Sequence, residues 1–233
     1  MTIKNIKAIA FDADDTLWIN ETNYQEAEHQ FCELLKDYQT INKISQELLI
    51  SEQQTIAVYG YGAKGFTLSM IETAIKISNK KVNAEAIQKI IAIGKELMEK
   101  PVELLDDIVT VLSNLKGKYK IILATKGDLL DQQRKLRKSG LFNFFDHIEI
   151  MSEKHELDYK NLLNKINVAP ENFLMVGNSL KSDVIPVVDI GSRAVHIPFH
   201  VTWAHETVNN YESDKYFKIK KLIELLKLLP END

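Results

Sequence analysis

The stretch AIAFDADDTLW, residues 8–18, decides how this chain folds. It begins with a short apolar run that is typical of a buried strand. Three carboxylates then follow within four positions: Asp12, Asp14 and Asp15. Two unit charges about 4 Å apart repel by about 4 kcal/mol at an effective dielectric constant near 20. Acids crowded at a strand end therefore indicate a positively charged partner, and with it a functional site.

The bulk composition is that of a soluble globular protein. The chain has 233 residues, of which 45% are hydrophobic and 27% charged, and its net charge is −4. This length suits one large domain, or a core domain with a smaller one. The charge balance offers no basic surface for nucleic acid. With a single cysteine, Cys32, and no run that resembles a signal peptide or a membrane span, we predict a cytoplasmic protein.

Short β-rich runs alternate with helical patterns over much of the chain. Strands separated by amphipathic helices predict βαβ units and a mostly parallel sheet covered on both faces. The fold class is therefore α/β, with a doubly wound, Rossmann-like core. The predicted strands are IKAIAFD (6–12), YKIILAT (119–125), DHIEIM (146–151), FLMVGN (173–178) and RAVHIP (193–198).

One long stretch interrupts this alternation. Between Trp18 and about Lys100 the patterns are helical only, and this is far more chain than a crossover between parallel strands requires. We therefore predict an all-helical cap domain over 18–99, inserted into a core formed by 1–17 and 100–233. Pro101 is predicted to open the next core helix, and KIKKLIELLKLL (218–229) to close the chain as an amphipathic helix.

The polar residues that follow the strands predict a binding site. In open α/β sheets, ligands bind beyond the carboxyl ends of the strands. A carboxylate cluster without cysteine or histidine suits Mg²⁺, and a cation together with lysine and small hydroxyls suits a phosphate group. The candidates are Asp12, Asp14 and Thr16; Thr125 and Lys126; Lys154; and Asn178, Lys181 and Asp183.

Taken together, DADDT (12–16), ATKG (124–127), Lys154 and GNSLKSD (177–183) resemble the four ordered motifs of the haloacid dehalogenase superfamily. The first motif matches the pattern Asp-x-Asp-x-Thr position for position, and it resembles the phosphatase branch. The resemblance covers the core, and it implies a Mg²⁺-dependent phosphatase acting on a small phosphorylated metabolite. The inserted segment corresponds to the helical cap of the family in position and size, without a shared motif.

The resemblance also implies roles for individual residues. Asp12 would be the nucleophile that forms an aspartyl-phosphate, and Asp14 the general acid and base. Thr125 and Lys154 would bind the phosphoryl group, with Lys126 as a further phosphate contact. The metal ligands would be Asp12, Asp14 through its carbonyl, Asn178 and Asp183.

Three departures from the family pattern leave alternatives open. Asn178 stands where the fourth motif usually has Asp, so the site has one negative charge fewer. Lys126 replaces the usual Asn of the second motif. The third motif lacks its usual Pro-Asp pair, so Lys160 is an alternative to Lys154. A phosphomutase remains an alternative to the phosphatase, as does a degenerate module that binds a phosphorylated ligand without turnover. Asp14 argues against a dehalogenase, which needs no second acid.

Substrate specificity is predicted to come from the inserted segment. YGYGAKG (59–65) is a Gly-punctuated stretch within it, and we predict a loop that faces the site. Tyr59, Tyr61 and Lys64 are the candidate specificity residues, with Lys64 suited to a second anionic group of the substrate. The sequence predicts neither the physiological substrate nor the oligomeric state.

Overall fold

The computed structural model describes residues 2–201, 203, 206, 208 and 211–230. A six-stranded sheet, with every neighbouring pair parallel, forms the centre of the core in the order β3-β2-β1-β4-β5-β6. The α/β, doubly wound fold class is confirmed. The strands are β1 Ala8–Phe11, β2 Lys120–Lys126, β3 His147–Met151, β4 Phe173–Gly177, β5 Arg193–His196 and β6 Tyr216–Lys218.

Nine α-helices occur in the described part of the chain, and five of them lie between β1 and β2. In chain order they are α1 Glu21–Leu35, α2 Ile41–Tyr59, α3 Ala63–Ile77, α4 Ala84–Glu99, α5 Ile108–Leu115, α6 Leu129–Lys138, α7 Glu156–Ile166, α8 Ile185–Asp189 and α9 Leu225–Leu228. None of the described helices has the length and apolar character needed to cross a membrane.

Successive side chains along each strand point to opposite faces of the sheet, and apolar side chains on both faces are buried against other parts of the core. Ile9, Phe11 and the matching positions of β2 and β4 pack against α5 and the apolar residues of the C-terminal segment. Ala8 and Ala10 belong to the opposite face, which packs against α7 and α8. Small alanines at the centre of that second face leave room for the buried ring of Tyr159.

The chain divides into two compact units. The first contains Met1–Glu21, Val102–Lys126 and Gln132–Asp233, and the second contains Thr22–Pro101 with Gly127–Asp131. The second unit has an apolar core of its own, built from the facing sides of α1 to α4 around residues such as Phe31, Leu48 and Met70.

Three details of the predicted elements are wrong. The helix predicted to open at Pro101 begins only at Ile108, because residues 102–105 are extended: the amide of Leu105 donates to the Leu17 carbonyl, and the amide of Ile19 donates to the Glu103 carbonyl. Asp107 then adopts a left-handed conformation with φ of 64° directly before the helix.

The C-terminal segment is also not one amphipathic helix. Tyr216–Lys218 pairs with β5 as the edge strand β6, and only short helical turns follow, Leu222–Glu224 and α9. The leucines at 222, 225 and 229 still pack into the core. Finally, the predicted loop at 59–65 is much shorter than expected, because α2 continues through Tyr59 and α3 already begins at Ala63.

Candidate active site

The end of β1 places its carboxylates at the carboxyl edge of the sheet. The Asp12 amide donates to the Val176 carbonyl of β4 at 2.9 Å, so Asp12 still continues the ladder. The chain then turns sharply, with Asp15 in a left-handed conformation at φ of 60°. The carboxylate of Asp15 accepts hydrogen bonds from the backbone amides of Asn20 and Glu21, at 2.8 and 3.0 Å. Asp15 therefore fixes the backbone that leads into α1.

A buried lysine joins two of the predicted acids. Lys154 Nζ lies 2.6 Å from Asp12 Oδ1 and 2.7 Å from Asp183 Oδ1. The Lys154 side chain is only 2% exposed, so its ammonium group is stabilised by the two carboxylates and not by water. Burial by itself would lower the pKa of Lys154, but the two carboxylates raise it well above its ordinary value. The two carboxylates therefore stabilise the charged form of Lys154.

Lys160, the alternative to Lys154, lies elsewhere. It is more than half exposed on α7 and pairs with Glu156 one helical turn away, at 3.5 Å. On the same helix, buried Tyr159 donates its hydroxyl hydrogen bond to the Ser182 carbonyl at 2.9 Å. The helix thus supports the fourth motif through Tyr159 while Lys160 faces solvent.

The fourth motif forms a tight turn around Asp183. Leu180–Val184 is a π-helical turn that leads directly into α8, and such turns recur at functional sites. Asp183 Oδ2 accepts a hydrogen bond from the Ser179 amide at 3.0 Å. Gly177 allows this approach, because a Cβ atom at that position would lie 2.2 Å from Asp183 Oδ2. Both oxygens of Asp183 therefore have protein donors.

The amide of Asn178 meets three oxygens. One terminal atom of this amide lies 3.2 Å from Asp12 Oδ2, from the Asp14 carbonyl oxygen and from Thr16 Oγ1. Because the first two can only accept hydrogen bonds, the amide nitrogen faces them and donates. With the amide turned to present its oxygen, the same positions would surround a cation, since neighbouring ligands of an octahedral Mg²⁺ lie about 3.0 Å apart.

The donor set fits Mg²⁺ on chemical grounds. Asp12, the Asp14 carbonyl and Asn178 supply oxygen ligands only, and hard cations prefer oxygen. Within the described residues, no group of three or more His, Cys, Asp or Glu side chains could hold a metal ion. A cation here would therefore rely on carbonyl and amide oxygens beside the Asp12 carboxylate.

The second motif places Thr125 and Lys126 at the end of β2. Thr125 is buried, and its hydroxyl lies 3.5 Å from the Lys126 carbonyl, which is too long for a strong hydrogen bond. Lys126 Nζ forms an ion pair with Glu206 and donates to Ser182 Oγ at 3.0 Å. The sequence analysis did not identify Glu206 as the acidic partner of Lys126, because the two residues are 80 positions apart and no local pattern predicts their contact.

The Asp14 carboxylate has three donors that were also missed. Trp18 Nε1 and Lys135 Nζ donate to Asp14 Oδ1 at 2.7 and 2.5 Å, and Gln132 Nε2 donates to Asp14 Oδ2 at 2.9 Å. Gln132 and Lys135 are three residues apart on α6, which places them on one face of the helix. That spacing of two polar residues, in the helix after the second motif, was the available signal.

The candidate specificity residues belong to the second compact unit. Tyr59 ends α2 and is 54% exposed, Tyr61 lies between Gly60 and Gly62, and Lys64 is in the first turn of α3. Lys64 Nζ is 2.8 Å from Asp128 Oδ2, so its ammonium has an acidic partner within the same unit. This pairing lowers the pKa of Asp128 against the opposing effect of its burial.

Comparisons with known proteins identify the family of the chain. The family model of the haloacid dehalogenase-like hydrolases matches residues 6–190. A glyceraldehyde 3-phosphate phosphatase from Methanothermobacter thermautotrophicus is 24% identical over 95% of this chain and 100% of its own length. One of the same name from Pyrococcus furiosus is 31% identical, over 37% of this chain and 38% of its own.

Solved structures share the fold along nearly the whole chain. A haloacid dehalogenase-like family hydrolase from Xanthomonas campestris is 35% identical, with a TM-score of 0.86 over 95% of this chain and 89% of its own. The putative hydrolase YfnB from Bacillus subtilis, solved bound to magnesium, has a TM-score of 0.66 at 21% identity, over 97% of this chain and 99% of its own. The chain therefore belongs to the haloacid dehalogenase-like hydrolases, as an enzyme of the phosphatase type.

Proposed function

We propose that this protein is a Mg²⁺-dependent phosphatase that hydrolyses a small phosphate monoester through an aspartyl-phosphate on Asp12. The observation that carries the proposal is the buried ammonium group of Lys154 between Asp12 and Asp183, at 2.6 and 2.7 Å. It neutralises a nucleophilic carboxylate at a sheet edge where a phosphate dianion would otherwise be repelled. The Asp14 carboxyl group, two residues on, supplies a second acid at the same edge.

The proposed reaction has two steps. An Asp12 oxygen attacks phosphorus, and the bond between phosphorus and the leaving oxygen breaks as that oxygen takes a proton from Asp14. Water then attacks the phosphorus of the aspartyl-phosphate while Asp14 accepts its proton, and the bond between phosphorus and the Asp12 oxygen breaks, which releases inorganic phosphate and restores the Asp12 carboxylate. Lys154 holds Asp12 in place throughout, and Thr125 and Lys126 bind phosphoryl oxygens.

The ammonium group of Lys126 forms an ion pair with Glu206, so binding phosphate would require it to contact the Glu206 carboxylate and a phosphoryl oxygen at the same time.

The metal would be held by Asp12, the Asp14 carbonyl and the side-chain oxygen of Asn178. When bound, Mg²⁺ withdraws negative charge from the phosphoryl oxygens and orients them. We assign Asp183 an indirect role, because both its oxygens already accept hydrogen bonds, from Lys154 and the Ser179 amide. YfnB from Bacillus subtilis was solved bound to magnesium, which supports the choice of Mg²⁺ as the cation.

The proposed substrate is a small phosphorylated metabolite in the cytoplasm. Glyceraldehyde 3-phosphate is the first to test, because three relatives are named glyceraldehyde 3-phosphate phosphatase. We propose that the inserted segment 18–99 acts as a cap over the core of 1–17 and 100–233, and that Tyr59, Tyr61 and Lys64 select the substrate. A second anionic group on the substrate would compete with Asp128 for Lys64.

Phosphate release tests the proposal. The purified protein is assayed with Mg²⁺ on an aryl phosphate and on glyceraldehyde 3-phosphate, with EDTA as the metal-free control. Asp12→Asn should lose several powers of ten in rate while keeping its fold, because an amide cannot act as the nucleophile. A borohydride quench should convert the phosphorylated Asp12 to homoserine, which mass spectrometry locates. Retention of more than about one per cent of the activity in Asp12→Asn would overturn the assignment.

The alternatives give different results in the same assay. A phosphomutase would return the phosphoryl group to a sugar, so the isomeric sugar phosphate would form without release of inorganic phosphate. A degenerate binding module would bind phosphorylated ligands and release nothing with any of them.

A further inference from the structure

We propose that Lys135 and Gln132 are positioning residues that assign the two oxygens of Asp14 to different tasks, so that Oδ2 carries the proton to the leaving group. This inference rests on the proposed phosphatase function. It concerns residues outside the four motifs, on the helix α6. The geometry that points to it is the unequal distribution of donors over the Asp14 carboxylate.

Asp14 Oδ1 is saturated. The indole of Trp18 donates to it at 2.7 Å and the ammonium of Lys135 at 2.5 Å. A carboxylate oxygen offers about two lone-pair sites, so two donors leave it no capacity for substrate. Trp18 is 1% exposed, and its indole nitrogen therefore has no ready substitute partner in water.

Asp14 Oδ2 keeps one lone-pair site. Gln132 Nε2 donates to it at 2.9 Å, and that is the single donor the described structure gives this oxygen. A proton on Oδ2 can thus point away from Gln132 toward a leaving-group oxygen. The Asp14 side chain is 25% exposed, which allows a substrate to approach it.

Gln132 is held in one orientation. Its Nε2 also donates to the Lys126 carbonyl at 3.0 Å, and because both neighbours are acceptors, the amide nitrogen must face them. Its Oε1 is then left buried without a hydrogen-bond partner among the described residues, in a side chain that is only 3% exposed. The two acceptors of its Nε2 therefore fix the amide orientation, although its own oxygen gains no protein partner there.

Lys135 acts on the proton transfer itself. As phosphorus forms its bond to Asp12 and the bond to the leaving oxygen breaks, that oxygen takes the proton from Asp14 Oδ2 and Asp14 becomes a carboxylate. The Lys135 ammonium, 2.5 Å from the other oxygen, stabilises the negative charge that appears there. Lys135 also donates to Asn20 Oδ1 at 3.1 Å, which holds the ammonium in place.

The role predicts a dependence on the leaving group. An aryl oxide leaves readily without a proton, whereas an alkoxide needs one, and general acid catalysis contributes about 10²–10⁴ in rate. The measurement is kcat/KM for 4-nitrophenyl phosphate and for glycerol phosphate, since this ratio reports the transfer to Asp12 and not the later attack of water. Lys135→Met should lose tenfold to a hundredfold on the alkyl ester and at most a fewfold on the aryl ester.

Matched variants control for the fold. Lys138→Met is the control for Lys135→Met, because it makes the same change at an exposed position of α6. Gln132→Glu places a carboxylate next to Asp14, and its control is Gln133→Glu, the same change at the exposed neighbouring position. Both exposed variants should behave like the unaltered enzyme on both esters. Gln132→Glu should show the selective loss on the alkyl ester, and Lys135→Arg should recover part of what Lys135→Met loses.

A second readout needs no turnover. The indole N–H resonance of Trp18, identified by its absence in Trp18→Phe, should shift in Lys135→Met as it does in Asp14→Asn, because these residues share one oxygen. Equal losses on both esters in Lys135→Met, or an unmoved indole resonance, would overturn the positioning role alone. Failure of the unaltered enzyme to release phosphate from either ester would remove the proposed function, and this inference with it.

Discussion

Replacing Lys154 with methionine should destabilise the protein strongly, because it leaves two carboxyl groups buried without their common partner. The ammonium is 2.6 Å from Asp12 and 2.7 Å from Asp183, and its side chain is 2% exposed. Removing one partner of a buried ion pair costs about 3–5 kcal/mol. Because the free energy of unfolding of a typical domain is about 5–15 kcal/mol, the variant should lose at least about a fifth of it.

The loss should depend on pH in a defined direction. Burial raises the pKa of Asp12 to about 7 even though Lys154 acts against this shift, so without the lysine that pKa rises further. A carboxyl group with a raised folded-state pKa contributes stability that is complete below its unfolded pKa near 4 and disappears as the pH rises through the folded value. The destabilisation of Lys154→Met should therefore be small near pH 5 and largest above pH 8.

Urea unfolding followed by circular dichroism at pH 5, 7 and 8.5 measures this, with Lys160→Met as the matched control. Lys160 is more than half exposed, so its loss should change the free energy of unfolding by less than about 0.5 kcal/mol at each pH. Phosphate release should disappear in Lys154→Met and persist in Lys160→Met. A pH-independent destabilisation would show that lost packing and not charge is responsible, and lost activity in Lys160→Met would refute the choice of lysine.

Three further substitutions test the geometry of the site. Gly177→Ala should cost about 1–3 kcal/mol in urea unfolding and at least tenfold in phosphate release, because its Cβ would lie 2.2 Å from Asp183 Oδ2; unchanged values would contradict the close approach. Asn178→Asp should lower the melting temperature in EDTA, because the new carboxylate would face Asp12. With Mg²⁺ present it should raise both the stabilisation by the ion and the apparent Mg²⁺ affinity, and a lower affinity would place Asn178 away from the metal. Asp15→Asn should become more stable relative to the unaltered protein as the pH rises from 4 to 7, because burial raises the pKa of Asp15 to about 7. The gain in the free energy of unfolding should be about 1.4 kcal/mol for each unit by which the folded pKa exceeds the unfolded one. Asparagine also tolerates the φ of 60° at this position, and a stability difference that does not vary with pH would refute the prediction.

The amino-acid sequence by itself determined the class of fold and the family. Strands such as AIAF and FLMVG are apolar at every position because both faces of a parallel sheet are covered. This pattern is local, so it can be recognised in the sequence without knowing which strands pair. The order of DADDT and GNSLKSD along the chain was equally visible, since each motif is contiguous. Where local preference competed with tertiary pairing, it failed: in place of one helix over 218–229, Lys218 ends the edge strand β6 beside β5 and only short helical turns follow.

The tertiary structure decided which charges meet. Asp12 and Lys154 are 142 positions apart, and Lys126 and Glu206 are 80 apart, so no local pattern could pair them. The choice between Lys154 and Lys160 depends on burial, which only the packing of α7 against the sheet produces. Likewise, two of the three donors to Asp14 lie on α6, 118 and 121 positions further along the chain. Coulombic and hydrogen-bond energies depend on distance in space and on exclusion of water, and the chain acquires both only by folding.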